Sequence, residues 1–105
     1  MKPLVPIVAA GLLAGLLSLA SAASASDADV ARSLAATCAN CHNTDGRAVP
    51  ESGQEPLAGV DKAKLLQKLS EFRNGTKPAT IMHQISKGYT EAQLDLIAGY
   101  FAARK

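Results

Sequence analysis

The stretch Thr37-Cys38-Ala39-Asn40-Cys41-His42-Asn43 (TCANCHN, residues 37–43) holds both cysteines of the chain, with one of its two histidines directly after the second. On a helix, positions i and i+3 lie one turn apart on the same side. Two thiols and an imidazole are therefore presented together by five consecutive residues, and no other cysteine is available to pair with either. What those groups do depends first on where the thiols reside.

The opening MKPLVPIVAAGLLAGLLSLASAASASD carries one positive charge, Lys2, then an apolar stretch from Ile7 to Ala20, then small residues ending in Ala23-Ser24-Ala25. This layout predicts a secretory signal peptide over residues 1–25, cleaved after Ala25, and export to the periplasm. A membrane anchor needs about 20 consecutive apolar residues, and the uninterrupted apolar run is shorter, so no membrane span is expected in the mature form. Residues 26–105 are left as one domain. A chain that short buries a modest share of its surface, and its aromatics are only Phe72, Tyr89, Tyr100 and Phe101. A disulfide across two intervening residues would restrain the unfolded chain little. A large apolar cofactor would fill the core more effectively.

Charge is uneven. Asp27 to Asp61 holds two basic and six acidic residues, and Lys62 to Lys105 holds eight basic and three acidic. A solvated helix surface accounts for this, with Lys64 and Lys68 at i, i+4 on one exposed face. A docking face is the alternative. Neither the net charge of +2 nor the 4% aromatic content favours nucleic-acid binding.

Helical signals alternate with Gly/Pro punctuation. Asp27 or Asp29 is expected to cap a first helix whose apolar stripe is Val30, Leu34 and Cys38. Residues 43–59, NTDGRAVPESGQEPLAG, read as a loop. Unsupported loops beyond about 12 to 15 residues are uncommon in compact domains, so this one is expected to wrap something. Asp61 caps a second helix through Asn74, with Leu65, Leu66, Leu69 and Phe72 inward and Asn74-Gly75 as the stop. Pro78 and Gly88 bracket a segment with room for a helical turn. Thr90 and Gln93 form a capping box for the last helix, and Tyr89 can staple onto Leu94. Leu94, Ile97, Ala98 and Phe101 line that helix's inner face. No alternating run long enough for a strand appears. The expected fold is all-α, with three main helices.

C-x-x-C followed at once by His is the attachment sequence of a c-type haem. Cys38 and Cys41 would form thioether bonds to the ring, and His42 would be the proximal iron ligand. A thioredoxin-like dithiol would follow a strand, and none is visible. A zinc site would need further ligands, with only His83 or a carboxylate to hand. A structural disulfide ignores His42. One covalent haem c is the expected cofactor. On the other side of the iron, Met82 is the sole methionine after residue 25, and a thioether there would raise the reduction potential. Its neighbour His83 competes on position, and core filling is the common role of a methionine. Tyr89 and Tyr100 could donate to a haem propionate, although core and staple roles suit them as well.

CANCH near the start of the domain, a lone methionine before a terminal amphipathic helix and an all-helical body of this size resemble the class I c-type cytochromes. The resemblance covers nearly all of residues 26–105. It implies a small helical fold around one haem, crossing first and last helices, and Met82 as the distal ligand. FRNGTKPATIMHQISKGYTEAQLDLIAGYFAARK (Phe72–Lys105) is similar to the cytochrome subunit of flavocytochrome c sulfide dehydrogenase, above all in TIM, KGYT and IAGYF. That resemblance implies one-electron transfer from an FAD-containing flavoprotein subunit to other redox proteins, here through a single haem, with Lys77, Met82 and Lys87 near the haem edge. A free periplasmic carrier, or a haem protein that binds gas or peroxide, are the other functions open to such a chain. Two departures stand out. His83 occupies the place of a glycine after the ligand methionine, and Pro56-Leu57-Ala58-Gly59 sets its proline one place late in the family's Pro-x-apolar-x-Gly pattern. A hydrogen-bond partner for His42 Nδ1 is expected all the same.

Overall fold

The computed structural model describes residues 1–4 and 25–105; most of the expected signal peptide, residues 1–25, lies outside the described residues. Five helices follow in order: α1 (Asp27–Ala36), α2 (Ala39–His42), α3 (Lys62–Asn74), α4 (Met82–Lys87) and α5 (Glu91–Ala102), with a 3-10 turn at Thr44–Gly46. No strand occurs among the described residues. The fold is all-α, and its three long helices are the three expected.

Capping shows why the helices start where they do. Asp61 accepts from the backbone N–H groups of Ala63 and Lys64 at the start of α3, and Gly75 ends it in the left-handed conformation at φ +81°. Thr90 and Gln93 close the capping box of α5 in both directions, at 3.1 and 2.9 Å. At α1 the cap is Ser26, not Asp27 or Asp29. Its Oγ accepts from Asp29 N–H and donates to Asp29 Oδ2. The two aspartates fall inside the first turn, where their charge favours the helix N-terminus.

α1 also ends earlier than its apolar pattern suggests. The Thr37 hydroxyl donates to Leu34 O at 2.7 Å, and Thr37 and Cys38 N–H bond to carbonyls three residues back, Leu34 and Ala35. The helix tightens there and stops. Cys38 thus lies outside α1 and is the N-cap of α2. The buried face of α1 is Ala31 and Ala35, while Val30, Leu34 and Cys38 are half-buried beside it. Two alanines let α1 approach α5 closely, and these helices pack together, as do α3 with α5 and α3 with α4.

The core gathers Ala35, Leu65, Leu94, Ile97, Ala98 and Phe101, with Leu57, Leu66, Leu69 and Tyr89 packed around it. The four inward positions expected for α5 are all buried. Burial of a Leu, Ile or Phe side chain stabilises by about 1.5–3 kcal/mol each, so α5 anchors the fold. Tyr100 braces its outer side. Its hydroxyl donates to Asp45 Oδ1 at 2.5 Å, which, with some burial, raises the phenol above its ordinary range. The Arg104 guanidinium stacks 4.1 Å from the ring centroid.

The loop after α2 is pinned at Gly46. This buried residue has φ +70°, and its carbonyl accepts from Leu57 and Ala58 N–H at 2.8 and 3.1 Å. Gly59 N–H then reaches Phe101 O at 2.9 Å. The long loop is thereby folded back onto α5.

Candidate functional site

That fold-back creates a mainly apolar cavity of about 280 Å³. Cys38 and His42 contribute to one part of its wall, and the loop adds Gly53, Gln54, Glu55 and Leu57. α3 supplies Leu65, Lys68, Leu69 and Phe72; α5 supplies Ile97, Ala98 and Phe101; Lys77 and Met82 complete the lining. The loop does wrap something: this space.

The CANCH segment forms a single helical turn. Cys38 O accepts from Cys41 N–H at 3.3 Å and from His42 N–H at 2.9 Å. Cys38 is half-buried and Cys41 exposed, and the two sulfurs are not bonded to each other. Burial pushes the Cys38 thiol up, opposed by its contact with the Thr37 hydroxyl and reinforced by the nearby Cys41. His42 Nδ1 is buried without a hydrogen-bond partner.

That last observation corrects the expected carbonyl contact to His42. In the Pro56–Gly59 segment the Leu57 and Ala58 N–H groups donate to Gly46 O and that of Gly59 to Phe101 O, Leu57 O accepts from Val60 N–H, and no carbonyl of the segment accepts from His42. An unpaired buried imidazole nitrogen costs about 1–3 kcal/mol. The backbone just beyond is also strained, since Asn43 sits at φ 63°, ψ 171°, a region occupied almost only by glycine. Its side-chain amide donates to Arg47 O at 2.8 Å.

Met82, also in the cavity wall, opens α4, and its carbonyl accepts from the buried Ser86 hydroxyl at 2.7 Å. The structure therefore brings Cys38, His42 and Met82 to one cavity. Cys41 and His83 are not in its wall, and His83 Nδ1 is buried without a partner. Among the described residues no three His, Cys, Asp or Glu side chains converge on a metal-sized centre.

Of the lysines expected at the edge, Lys77 lines the cavity, its Nζ 5.7 Å from the Phe72 ring centroid. Lys87 does not, because it is exposed in the last turn of α4. Lys68, read from sequence as part of a solvated face, turns instead toward the loop and pairs with Glu55 Oε2 at 2.6 Å. This bond holds the Glu55 carboxyl below the usual glutamate range. No sequence signal marks Lys68 or Glu55, because their pairing depends on how the loop folds back. Tyr89 and Tyr100 both spend their hydroxyls on protein partners, Thr37 and Asp45.

The residues present fit a haem. The cavity is largely apolar, and its protein donors are thiol, imidazole and thioether.

No family model matches the chain. Among curated proteins, the cytochrome c-552 of Acidithiobacillus ferridurans is 39% identical over 67 residues, 63% of this chain and 28% of that protein. The cytochrome subunit of sulfide dehydrogenase from Chlorobaculum tepidum is 37% identical over 65 residues, 62% of this chain and 57% of that one. The thiosulfate dehydrogenase electron acceptor of Thiomonas intermedia is 31% identical over 69 residues, 66% and 32% respectively. The matched region spans between about a quarter and just over half the length of these relatives. Among the described residues no helix is long and apolar enough to cross a membrane.

Proposed function

We propose that this chain, a class I c-type cytochrome carrying covalent haem c, is a periplasmic one-electron carrier that serves as the haem subunit of a flavocytochrome c sulfide dehydrogenase. Cys38 and Cys41 would hold the ring by thioether bonds, and His42 and Met82 would be the residues that ligate its iron. The observation that carries this reading is that His42 and Met82, far apart in sequence, line the same apolar cavity together with Cys38. When bound, the haem supplies a one-electron iron couple, whose potential a methionine ligand raises.

The chain's own residues then have distinct tasks. The α2 turn fixes the angle at which His42 follows the two sulfurs. Ser86 holds the Met82 backbone at the start of α4. Leu65, Leu69, Ile97 and Phe101 exclude water from the cavity, which limits reorganisation when charge changes. The Lys68–Glu55 pair secures the loop across α3.

The partner is an FAD-containing flavoprotein subunit that gives up electrons derived from sulfide, and other redox proteins take them away. The sulfide dehydrogenase subunit of Chlorobaculum supports this choice. A free carrier is the second reading, favoured by the similarity to a thiosulfate dehydrogenase electron acceptor. Purification from the native host separates the two. Co-elution with an FAD protein that reduces the haem on addition of sulfide supports the subunit. A monomer reduced by several unrelated donors overturns that role. Met82→Ala tests the ligand, since the ferrous variant should take up carbon monoxide readily. An unchanged spectrum would transfer the sixth position to His83.

A further inference from the structure

We infer that Tyr89 is a positioning residue for the axial pair, its hydroxyl joining the segment that carries Met82 to the turn that carries His42. This rests on the reading of Met82 as the distal ligand.

Tyr89 lies in the joint between α4 and α5, its ring packed against the core and half-buried. Its hydroxyl is 2.6 Å from Thr37 Oγ1. The Thr37 hydroxyl already donates to Leu34 O at 2.7 Å, so Tyr89 is the donor and Thr37 the acceptor. Thr37 directly precedes Cys38. Among the described residues this is the one hydrogen bond that links residues 76–90 to residues 26–46.

The other anchors of α4 run elsewhere. Lys77 N–H bonds to Glu71 O, Ser86 bonds back within α4, and α4 packs on α3. α4 is thus a short, internally braced unit seated on α3, and only Tyr89 ties its far end by a hydrogen bond to the cysteine-bearing turn. Loss of that tie leaves the methionine wall free to withdraw from the imidazole wall. The Tyr89 hydroxyl therefore sets how often the sixth position opens.

The test is imidazole binding to the ferric holoprotein, followed by loss of the sulfur-to-iron charge-transfer band. Tyr89→Phe keeps the ring and removes the bond, and should raise the apparent imidazole affinity about two- to tenfold, the range one net hydrogen bond supports. Thr37→Val should do the same from the other end. In a Met82→Ala background, where the position is already open, Tyr89→Phe should add nothing. A purely structural tyrosine would lower the urea midpoint while leaving imidazole affinity unchanged, and that result overturns the inference. Retention of the charge-transfer band in Met82→Ala itself would overturn the ligand assignment, and the inference with it. Loss of the band in Met82→Ala with no effect of Tyr89→Phe would overturn the inference alone.

Discussion

Gly46 should be among the least replaceable residues in the chain, and the reason can be divided into two measurable parts. A Cβ at this position would lie 2.7 Å from Leu57 Cβ and 2.8 Å from Phe101 Cδ1. Neither neighbour can give way easily. Leu57 Cβ is fixed to a backbone whose N–H is bonded to Gly46 O, and the Phe101 ring is 3% exposed in the core. Overpacking of this kind costs about 1–3 kcal/mol. The φ of +70° adds about 1–2 kcal/mol for any residue with a Cβ. Gly46→Ala should therefore lose about 2–5 kcal/mol, a large part of the roughly 5–15 kcal/mol available to a domain. Gly75 provides the control, with a φ of +81° and nothing within 4 Å of its would-be Cβ, and it lies outside the cavity. Gly75→Ala should lose only the backbone part. Urea unfolding of the two holoproteins, followed by helix circular dichroism, gives the packing part as their difference. Values within about 0.5 kcal/mol of each other, the usual scatter of a neutral substitution, would refute the claim that the loop is locked against Phe101 by steric fit.

Three further outcomes are expected. Thr90→Ala removes the α5 cap and should lower stability by about 1 kcal/mol, read as a shift in urea midpoint at constant slope. At Asn43, where φ is 63° and ψ 171°, replacement by glycine should be tolerated within about 1 kcal/mol. There the relief of strain offsets the lost amide bond and the added chain entropy; a loss above about 2 kcal/mol by the same assay counts against strain at that residue. Glu55 is held below the usual glutamate range by Lys68, so its contribution is complete above that range and disappears as pH falls through the depressed value. Amide chemical shifts of Gly53 to Leu57 should report this acid step, and Glu55→Gln should abolish it.

Much of the architecture is legible in single residues because their effects are local. Asp61, Gly75, Thr90 and Gln93 mark helix ends with groups that act within four positions, and each appears where its chemistry requires. The α5 core face is equally plain, since one long amphipathic helix admits one buried side. The α1 end was misleading for an identifiable reason. Its apolar pattern continues to Cys38, but a threonine hydroxyl competing for Leu34 O ends the helix at Ala36. Small residues mislead as well, because Ala31 and Ala35 carry a weak hydrophobic signal yet form the buried face of α1. At the site, CANCH and Met82 are visible as residue types with known affinities. Gly46, Lys68, Glu55 and the Tyr89–Thr37 bond are not, since each depends on segments more than ten positions apart meeting after the loop has folded.

The central claim is a covalent one, so the most direct measurement is the mass and colour of the polypeptide under fully denaturing conditions, after production in a host that matures c-type cytochromes. The account predicts a mass exceeding that of the chain by one haem, absorption that stays with the unfolded protein, and neither Cys38 nor Cys41 open to alkylation. A colourless chain of unmodified mass whose two thiols both alkylate, or do so only after reduction, would contradict it.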